Sequence, residues 1–469
     1  MQKLQTVPQV TPKRRSRGRR APGPRHNRVT GTLFFIRLAA KPLQNLRKLR
    51  AAYGDVARIE FANKRFILFS HPDAAQHILQ TNQRNYRKSD VYEVLKALLG
   101  EGLLTSNGEF WLRQRRIAQP AFHKKRLNRL FDAMVGCIDR MHQRWEQQGL
   151  PDGRCFDIGP EMMKVTLDVV GQTLLSTRLV DQSSSISRAL NHAFRLFPRR
   201  VQASLLVPNG FPIPGNAAFE EAKQQLHTAL LAIIAQRRAQ PPEERPDDLL
   251  TMLLEATDAD TGAQMNDRQL LDEVLTIFVA GHETTAMGMS WLWSEVGRRP
   301  ELQHALQHEV DTVLGQRPPT LEDLPRLQHI RRTIDETLRL HPPAFEVGRN
   351  ALEADVVMGY ELPKGFNAVV SIDGIHRHPE FWQEPEAFNP ERFRPENRQN
   401  DHKFQYIPFG GGPRLCIGNH FALMEMTLLV AMILQRYTLT REPGWRVEPL
   451  PRVTLRLKYG LGVRLGPRS

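Results

Sequence analysis

A ten-residue stretch from Phe409 to Gly418 constrains this chain more than any other. It reads Phe-Gly-Gly-Gly-Pro-Arg-Leu-Cys-Ile-Gly and is followed by an apolar run long enough for a helix. Glycines allow close approach and unusual backbone angles, and a turn of this kind points successive N–H groups at an anion. A thiolate is such an anion and, as a soft donor, suits iron. Taken alone, Cys416 also fits the commoner role of a buried structural cysteine.

Composition narrows the class of protein. The 469 residues include three cysteines, Cys137, Cys155 and Cys416, which form neither a CxxC pair nor an even disulfide framework. This cysteine usage suits a reducing compartment, so we expect a cytoplasmic protein. The net charge is +15, but fourteen Lys and Arg and no acidic residue lie in residues 1–50, which leaves +1 for the rest. No apolar run reaches the roughly 18 residues of a membrane-spanning helix.

The chain divides into a short arm and one large domain. Residues 1–28 are rich in Lys, Arg, Pro and Gly with little to bury, which predicts a disordered arm. Such an arm is solvated or is attracted to an anionic membrane, so residues 1–50 are a candidate for peripheral membrane contact. A transit peptide is a further alternative, although the prolines argue against an amphipathic helix. Without interleaved aromatic residues, no nucleic-acid partner is expected.

Residues 29–469 predict a mainly α domain with small β-sheets. A basic helix over 43–53 precedes a hairpin of 56–61 and 65–69, and helical periodicity then dominates to about residue 340. Loops rich in Pro, Gly or polar residues interrupt it at 207–215, 240–247 and 257–267. Strand patterns return at 355–372 and 452–465. Because early and late segments both contribute strands, we expect a single interwoven domain.

A long helix carries a second unusual stretch. Asn266 and Gln269 have the spacing of a capping box, and an apolar run leads to Ala-Gly-His-Glu-Thr-Thr at 280–285. Gly281 disfavours a helix interior, and a threonine hydroxyl that bonds to the carbonyl four residues earlier bends the helix. From the residues alone, this is equally a kinked core helix.

Two further pairs share a helix face. Glu336 and Arg339 are three residues apart, and Trp111 and Arg115 are four apart. The second pair allows an indole and a guanidinium to bind the same carboxylate. Without other information, both pairs also fit ordinary exposed helix faces.

Taken together, these patterns resemble the cytochrome P450 family, in the family's order from residue 22 to residue 465. The resemblance implies the P450 fold and haem b, with Cys416 as the thiolate ligand of the iron and Phe409 packed beside it. Gly412 and Gly418 of the same cysteine loop are also implied to bind the cofactor. The residues implied to meet haem propionates are Trp111, Arg115, Arg349 and Arg414. Glu336, Arg339 and Arg392 are implied to form a buried structural cluster.

The resemblance also implies the chemistry. Ala280 to Thr284 matches the family's oxygen-activation motif, in which Thr284 would place a proton and Glu283 would supply it, because O–O cleavage to water needs two protons. His282 is expected to point away. The implied enzyme is a haem-thiolate monooxygenase of the bacterial type without a fused reductase. It would use O2 and electrons from NAD(P)H through a ferredoxin or flavodoxin-type partner.

By family analogy the pocket draws on 89–104, the helix near Ala280, 344–347 and the turn around Tyr459, which are mostly apolar. An apolar small molecule is therefore expected, such as a fatty-acyl chain or a terpenoid. Two other functions compete with the monooxygenase. A haem-thiolate sensor or electron carrier would not need Glu283 and Thr284, and a peroxide-driven or rearranging relative often lacks this pair. The presence of both residues therefore favours the monooxygenase.

Overall fold

The computed structural model describes residues 18–24, 41–61, 64–178 and 216–468. The predicted loop at 207–215 and most of the basic arm lie outside these residues. Within the arm, residues 18–24 pack on the domain: Arg19 N–H donates to Gly359 O at 2.8 Å, and Arg58 N–H donates to Pro22 O at 2.7 Å. The boundary at residue 28 stays a prediction, with this ordered segment lying before it.

Helices make up most of the described chain. They are α1 (Pro42–Tyr53), α2 (Pro72–Gln76), α3 (Val91–Leu99), α4 (Gly108–Ala118), α5 (Lys124–Leu127), α6 (Phe131–Gln147), α7 (Ile158–Leu175), α8 (Asn216–Ala239), α9 (Leu249–Glu255), α10 (Asp267–Val296), α11 (Pro300–Val313), α12 (Gln328–Leu340), α13 (Ile372–Ile375) and α14 (Asn419–Arg436). A π-helical turn covers His77–Thr81, and 3₁₀ turns cover Pro390–Phe393 and Gly412–Arg414 among others.

The strands are short and come from both ends of the chain. They are β1 (Val56–Phe61), β2 (Lys64–Phe69), β3 (Tyr86–Lys88), β4 (Phe156–Asp157), β5 (Glu346–Ala351), β6 (Asp355–Val357), β7 (Tyr360–Leu362), β8 (Asn367–Ser371), β9 (Tyr437–Arg441), β10 (Pro449–Pro451), β11 (Leu455–Leu457) and β12 (Gly462–Pro467).

Strand pairing interweaves the chain. The largest sheet has the order β1-β2-β8-β5-β3, in which β2 and β8 run parallel and the other neighbours antiparallel. A second sheet has the order β4-β12-β9, and β6-β7 and β10-β11 form two-stranded ribbons. Strands from the first hundred residues therefore pair with strands beyond residue 345. The prediction of a mainly α, interwoven domain is confirmed.

Helix α10 runs through the centre of the molecule. It packs against α3, α7, α8, α9, α12 and α14, and its second half is almost wholly buried. The predicted capping box starts it: Asn266 Oδ1 accepts from Gln269 N–H at 2.9 Å, and Gln269 Oε1 accepts from Asn266 N–H at 3.0 Å. No helix in the described part of the chain is long and apolar enough to cross a membrane.

Candidate active site

The cysteine loop is held by its own backbone and by the π-helical turn. Cys416 N–H donates to Phe409 O, and Leu415 N–H donates to Gly412 O, both at 3.0 Å. Gly412 has φ +68°, and a Cβ there would lie 1.9 Å from the carbonyl oxygen of Leu79. The loop therefore requires glycine at 412, because it sits tightly against residues 77–81. Phe409 is half-buried and packs on the main core.

Cys416 itself is accessible yet surrounded by protein. Its side chain is exposed, but burial raises the pKa of the thiol, while a hydrogen bond from Gly418 N–H and the charge of Arg115 act in the opposite direction. The sulfur is thus open to a ligand although many protein atoms surround it. The net shift is upward, so the Gly418 N–H and Arg115 are the two neighbours that would stabilise a thiolate once a metal binds it.

Four cations converge near this loop without counterions. Burial lowers the pKa values of Lys88, Arg115, Arg349 and Arg414. Mutual repulsion adds to burial for two of them: Arg349 and Arg414 lower the pKa of Lys88, and Arg349 and Arg115 help to lower that of Arg414 to about 9. None of the four forms an ion pair with a carboxylate in the described residues. Such a set favours the binding of an anion, because an anion would neutralise the buried charges.

Aromatic residues position two of these cations. The Arg414 guanidinium lies 4.0 Å from the centre of the Trp111 ring and donates to Ser106 O at 3.1 Å. Tyr92 accepts a hydrogen bond from Arg349, and Lys88 Nζ lies 4.4 Å from the Tyr92 ring centre. The predicted residues Trp111, Arg115, Arg349 and Arg414 thus lie together. Lys88 and Tyr92 were missed, because neither belongs to a motif with fixed spacing.

The centre of α10 is less tightly covered than the rest of the helix. Ile277, Ala280, Gly281 and Thr284 are half-buried, whereas the helix is buried on both sides of them. Their spacing places them on one helix face. Thr284 Oγ1 donates to Ala280 O at 2.6 Å, which is the predicted bond to the carbonyl four residues earlier. A half-buried stripe inside a central helix indicates a cavity along it.

Glu283 has partners that the sequence did not indicate. Its Oε1 accepts from Thr454 Oγ1 at 2.6 Å and from Arg456 Nη2 at 2.7 Å. Arg456 keeps 37% of its side chain exposed, so this ion pair connects α10 with the surface. The β10–β11 ribbon is thus the part of the C-terminal region that contacts Glu283 of α10. Tyr459, expected near the pocket, is 42% exposed and lies between Arg446 and Lys458.

The neighbours of Glu283 and Thr284 face the core. His282 is buried beside Phe278, and burial lowers the pKa of its imidazole to about 4. Thr285 Oγ1 donates to Gly281 O at 3.0 Å, and its hydroxyl also contacts Glu425 of α14. Glu425 is wholly buried, and burial raises its carboxyl pKa well above the ordinary range. His282 therefore points away from the cavity stripe, in agreement with the prediction.

The three residues expected to form a structural cluster do lie together. Glu336 and Arg339 are both fully buried and form two hydrogen bonds, at 2.6 and 2.8 Å. Arg392 approaches the same carboxylate less closely, with its Nε 3.4 Å from Glu336 Oε1.

These surroundings fit an iron porphyrin. A desolvated thiolate suits iron, and four cations without counterions suit the two carboxylates of haem. Cys416 would be the iron ligand, and Lys88, Arg115, Arg349 and Arg414 would bind the propionates, with Trp111 beside them. The site thus has the features of a haem-thiolate protein.

Comparison with known proteins identifies the family. The family model for Cytochrome P450 matches residues 21–458. Cyclooctatin synthase from Streptomyces melanosporofaciens is 34% identical over 89% of this chain and 90% of its own length. Pentalenene oxygenase from Streptomyces avermitilis is 31% identical over 92% of this chain and 94% of its own length. The crystal structure of the cytochrome P450DA heme domain superposes with a TM-score of 0.86 at 26% identity, covering 97% of this chain and 98% of that one.

The chain belongs to the cytochrome P450 family. It is a haem-thiolate monooxygenase of the bacterial type, which uses O2 and electrons derived from NAD(P)H. Its electrons come from a separate redox partner, and its substrates are apolar.

Proposed function

We propose that this monooxygenase oxidises a terpenoid, with Cys416 as iron ligand and Thr284 and Glu283 as the proton-handling residues. The observation that carries the assignment of the site is the convergence of an accessible, desolvated cysteine with four unpaired cations. Relatives named Pentalenene oxygenase and Cyclooctat-9-en-7-ol 5-monooxygenase support the substrate class, the second being 33% identical over 91% of this chain. Of the two lipid classes expected from the sequence, these names favour the terpenoid over the fatty-acyl chain.

The haem would be held at its iron and at its propionates. Cys416 would bind the iron, with Gly418 N–H and Arg115 stabilising the negative sulfur. Arg349, Arg414 and Lys88, together with Arg115, would neutralise the propionates. When bound, the haem supplies the redox chemistry that activates dioxygen and transfers one oxygen atom to a C–H or C=C bond. The protein orients the substrate and controls water and protons.

Proton control falls to α10. The Thr284 hydroxyl lies on the cavity stripe and would place a proton on the oxygen that leaves as water. Glu283 would supply protons from the surface side, because Arg456 connects it with solvent. Arg456 and Thr454 both donate to the same carboxyl oxygen of Glu283. Proton supply therefore requires at least one of these bonds to open.

The redox partner would dock on a basic surface beside the cysteine loop. Lys124, Lys125, Arg126 and Arg129 are exposed on and after α5, and α5 packs against α14, the helix that follows Cys416. An acidic partner such as a ferredoxin or flavodoxin fits this charge. Electron transfer to the protein should then weaken as ionic strength rises, because salt screens exposed charges.

The basic N-terminal region would make a weak, peripheral contact with anionic membranes. Of the basic residues in α1, Arg47 pairs with Asp373 and Arg50 pairs with Asp55. Lys48 is exposed, as is Lys41 just before the helix, so both can add to the positive charge of the arm. The protein itself would be cytoplasmic. Sedimentation with anionic and neutral vesicles, for the full chain and for a chain lacking residues 1–17, tests this contact.

The iron ligand is tested with Cys416→Ser. The ferrous–CO complex of the wild-type protein should show the red-shifted band after which the family is named, because a thiolate donates strongly to the iron. Cys416→Ser should lose this band, whereas Cys155→Ser, which changes a cysteine outside the site, should keep it. A variant without Cys416 that retained the band would overturn the assignment.

The proton-handling role is tested by coupling. Thr284→Ala should bind haem and substrate normally and still consume NAD(P)H, but release hydrogen peroxide in place of product. Thr285→Ala is the matched control, because its hydroxyl makes the same type of bond but faces the core. Glu283→Gln should slow turnover itself, by about 10²–10⁴-fold if proton supply is lost. Equal coupling in wild type and Thr284→Ala would leave α10 a kinked core helix and favour a sensor or rearranging enzyme.

A further inference from the structure

Three consecutive backbone carbonyls at the centre of α10, those of residues 280–282, lie within hydrogen-bonding distance of threonine hydroxyls. Two of these hydroxyls belong to α10 itself, on Thr284 and Thr285. The third belongs to Thr166 of α7, whose Oγ1 lies 3.0 Å from His282 O. Thr166 is fully buried, so this contact lies in the protein interior. A neighbouring helix therefore takes part in shaping the turn of α10 at the active site.

Helices α7 and α10 approach each other closely at this turn. A Cβ on Gly281 would lie 3.2 Å from Val170 Cγ2 of α7, which is tighter than ordinary van der Waals contact. Val170 follows Thr166 by one helical turn, so both side chains lie on the same face of α7. Glycine at 281 thus allows α7 to come near enough for the Thr166 hydroxyl to reach the His282 carbonyl.

The Thr166 hydroxyl has more than one acceptor within reach. Its oxygen lies near two carbonyls of its own helix, the nearer being Met162 O at 2.9 Å, as well as near His282 O. A hydroxyl carries one proton and donates it to one acceptor at a time. Thr173, further along the same helix, donates to Val169 O at 2.6 Å, a bond that stays within α7. Thr166 can therefore connect the two helices, and Thr173 provides a comparison without that connection.

The contact of Thr166 bears directly on Glu283. The carbonyl of His282 and the N–H of Glu283 belong to one planar peptide unit, so a bond to that carbonyl orients the backbone of Glu283. The carboxyl group of Glu283 is bonded separately by Thr454 and Arg456 of the β10–β11 ribbon. Glu283 is thus held at its backbone by α7 and at its side chain by the ribbon.

We propose that Thr166 is a positioning residue, which holds the turn of α10 that carries Glu283 and Thr284 through its bond to His282 O. This inference rests on the proposed function, because it concerns the two residues assigned to proton handling. Without the Thr166 hydroxyl, the turn opens more often and the Thr284 hydroxyl is placed less precisely for proton transfer. More of the O2 then takes up two electrons and two protons and leaves as hydrogen peroxide, and less is used to form product and water.

The experiment compares Thr166→Val, which keeps the shape of the side chain without a hydroxyl, with Thr166→Ser, which keeps the hydroxyl. Thr173→Val is the matched control, and Thr284→Ala sets the scale of the effect on coupling. Amide hydrogen exchange of the haem-loaded protein is followed over residues 280–286 and, as an internal reference, over 287–296. Peroxide released per NAD(P)H consumed is measured with a surrogate ferredoxin and reductase, with and without pentalenene, so the ratio is defined whether or not this terpene is oxidised.

Thr166→Val should exchange the amides of 280–286 about 2- to 10-fold faster than the wild type, with 287–296 unchanged, because loss of one hydrogen bond loosens the turn locally. It should also release about 2- to 5-fold more peroxide per NAD(P)H, in the direction of Thr284→Ala. Thr166→Ser and Thr173→Val should match the wild type in both measurements. Thr166→Ala, with the same expected results, takes the place of Thr166→Val if that variant does not fold.

Three results would overturn the proposal. Wild-type exchange over 280–286 in Thr166→Val would show that the hydroxyl serves Met162 O, and equally faster exchange over 287–296 would show that the effect is not local to the turn. Faster exchange over 280–286 with a wild-type peroxide ratio, while Thr284→Ala releases more peroxide, would make Thr166 a structural residue only. A wild-type peroxide ratio in both Thr166→Val and Thr284→Ala contradicts the proposed role of Thr284 as well.

Discussion

Two buried groups of arginines in this protein differ in how their charge is satisfied. Arg339 uses all five of its N–H donors: two bonds to Glu336 and three to the carbonyl oxygens of His376, Pro385 and Ala387. Arg414 is also largely enclosed, but its contacts are a bond to Ser106 O, a long bond of 3.5 Å to Asn107 Oδ1 and the face of Trp111. Every N–H donor of Arg339 has an acceptor within the protein, whereas Arg414 has N–H donors that are not used by the described residues.

The difference teaches which buried charges are structural and which await a ligand. A saturated cation fixes the chain segments that supply its acceptors, here α12 and residues 376–387. Cations that repel one another and have unused donors destabilise the empty site and bind an anion strongly when it arrives. The number of unused hydrogen-bond donors on each buried cation therefore indicates whether it is structural or awaits a ligand, even when the ligand is unknown.

The saturated group should respond most strongly to mutation. Glu336→Ala leaves Arg339 buried without its carboxylate, which costs about 3–5 kcal/mol, so we expect little or no haem-loaded protein. Glu391→Ala is the control, since the exposed pair of Glu391 with Arg394 contributes only about 0–1 kcal/mol. Haem content per polypeptide and the thermal midpoint measure the effect. Normal haem content in Glu336→Ala would show that the cluster is not required for the fold.

Arg392→Ala refines the same comparison. Its Nε lies 3.4 Å from Glu336 Oε1 and has no hydrogen bond, while Nη2 donates to Glu384 O. Because Glu336 keeps both bonds to Arg339, the loss should be smaller than for Glu336→Ala, about 1–2 kcal/mol. The measurement is the thermal midpoint of the two variants side by side; equal losses would mean that Arg392 is as important as Arg339.

The unsaturated group should affect haem retention instead of folding. Arg414→Leu removes a cation that burial and two neighbouring arginines already disfavour, so the protein should fold as well as the wild type. Loss of a charge-assisted bond to a propionate should speed haem transfer to apomyoglobin by about 10- to 100-fold. Lys125→Met, an exposed cation outside this group, should leave the rate unchanged. A destabilised fold with normal haem retention would mean that Arg414 is a structural residue and not a ligand-binding one.

Local patterns predicted most of this arrangement. The capping box at Asn266, the hairpin at 56–69 and the bond from Thr284 to Ala280 O all involve residues within a few positions of one another, where spacing determines geometry. The cysteine loop is similar, because glycine at 412 is needed for a single close contact with Leu79. Resemblance to a family supplied Arg349, which no local pattern indicates.

Long-range contacts could not be predicted in the same way. The partners of Glu283 lie more than 170 positions away in a ribbon whose side chains show no motif. Lys88 looked like one basic residue among many, and its role appears only when the fold brings it beside Arg349 and Arg414. Tertiary position, and not residue type, gives these residues their chemistry.

Glu273 provides a third case, in which a buried charge is avoided by protonation. Its side chain is 1% exposed, and one oxygen accepts from Leu103 N–H at 3.0 Å. Burial and the neighbouring Asp272 raise the carboxyl pKa to about 8, against the opposing hydrogen bond from Leu103. The unfolded chain ionises Glu273 at the ordinary value, whereas the folded chain keeps the proton. The contribution of Glu273 to stability is therefore fully present below the ordinary pKa of a glutamate and is lost as pH rises through about 8.

Glu273→Gln should remove this dependence, because Gln keeps the acceptor for Leu103 N–H and cannot ionise. Between about pH 6 and pH 8, the free energy of unfolding should fall by about 1–2 kcal/mol more in the wild type than in Glu273→Gln. Urea unfolding across this range, with the exposed Glu301→Gln as control, measures the difference. Parallel pH profiles would mean that Glu273 is ionised in the folded protein. It would then be an unsaturated charge like those at the haem site, and an unpaired buried charge alone would no longer mark a binding site.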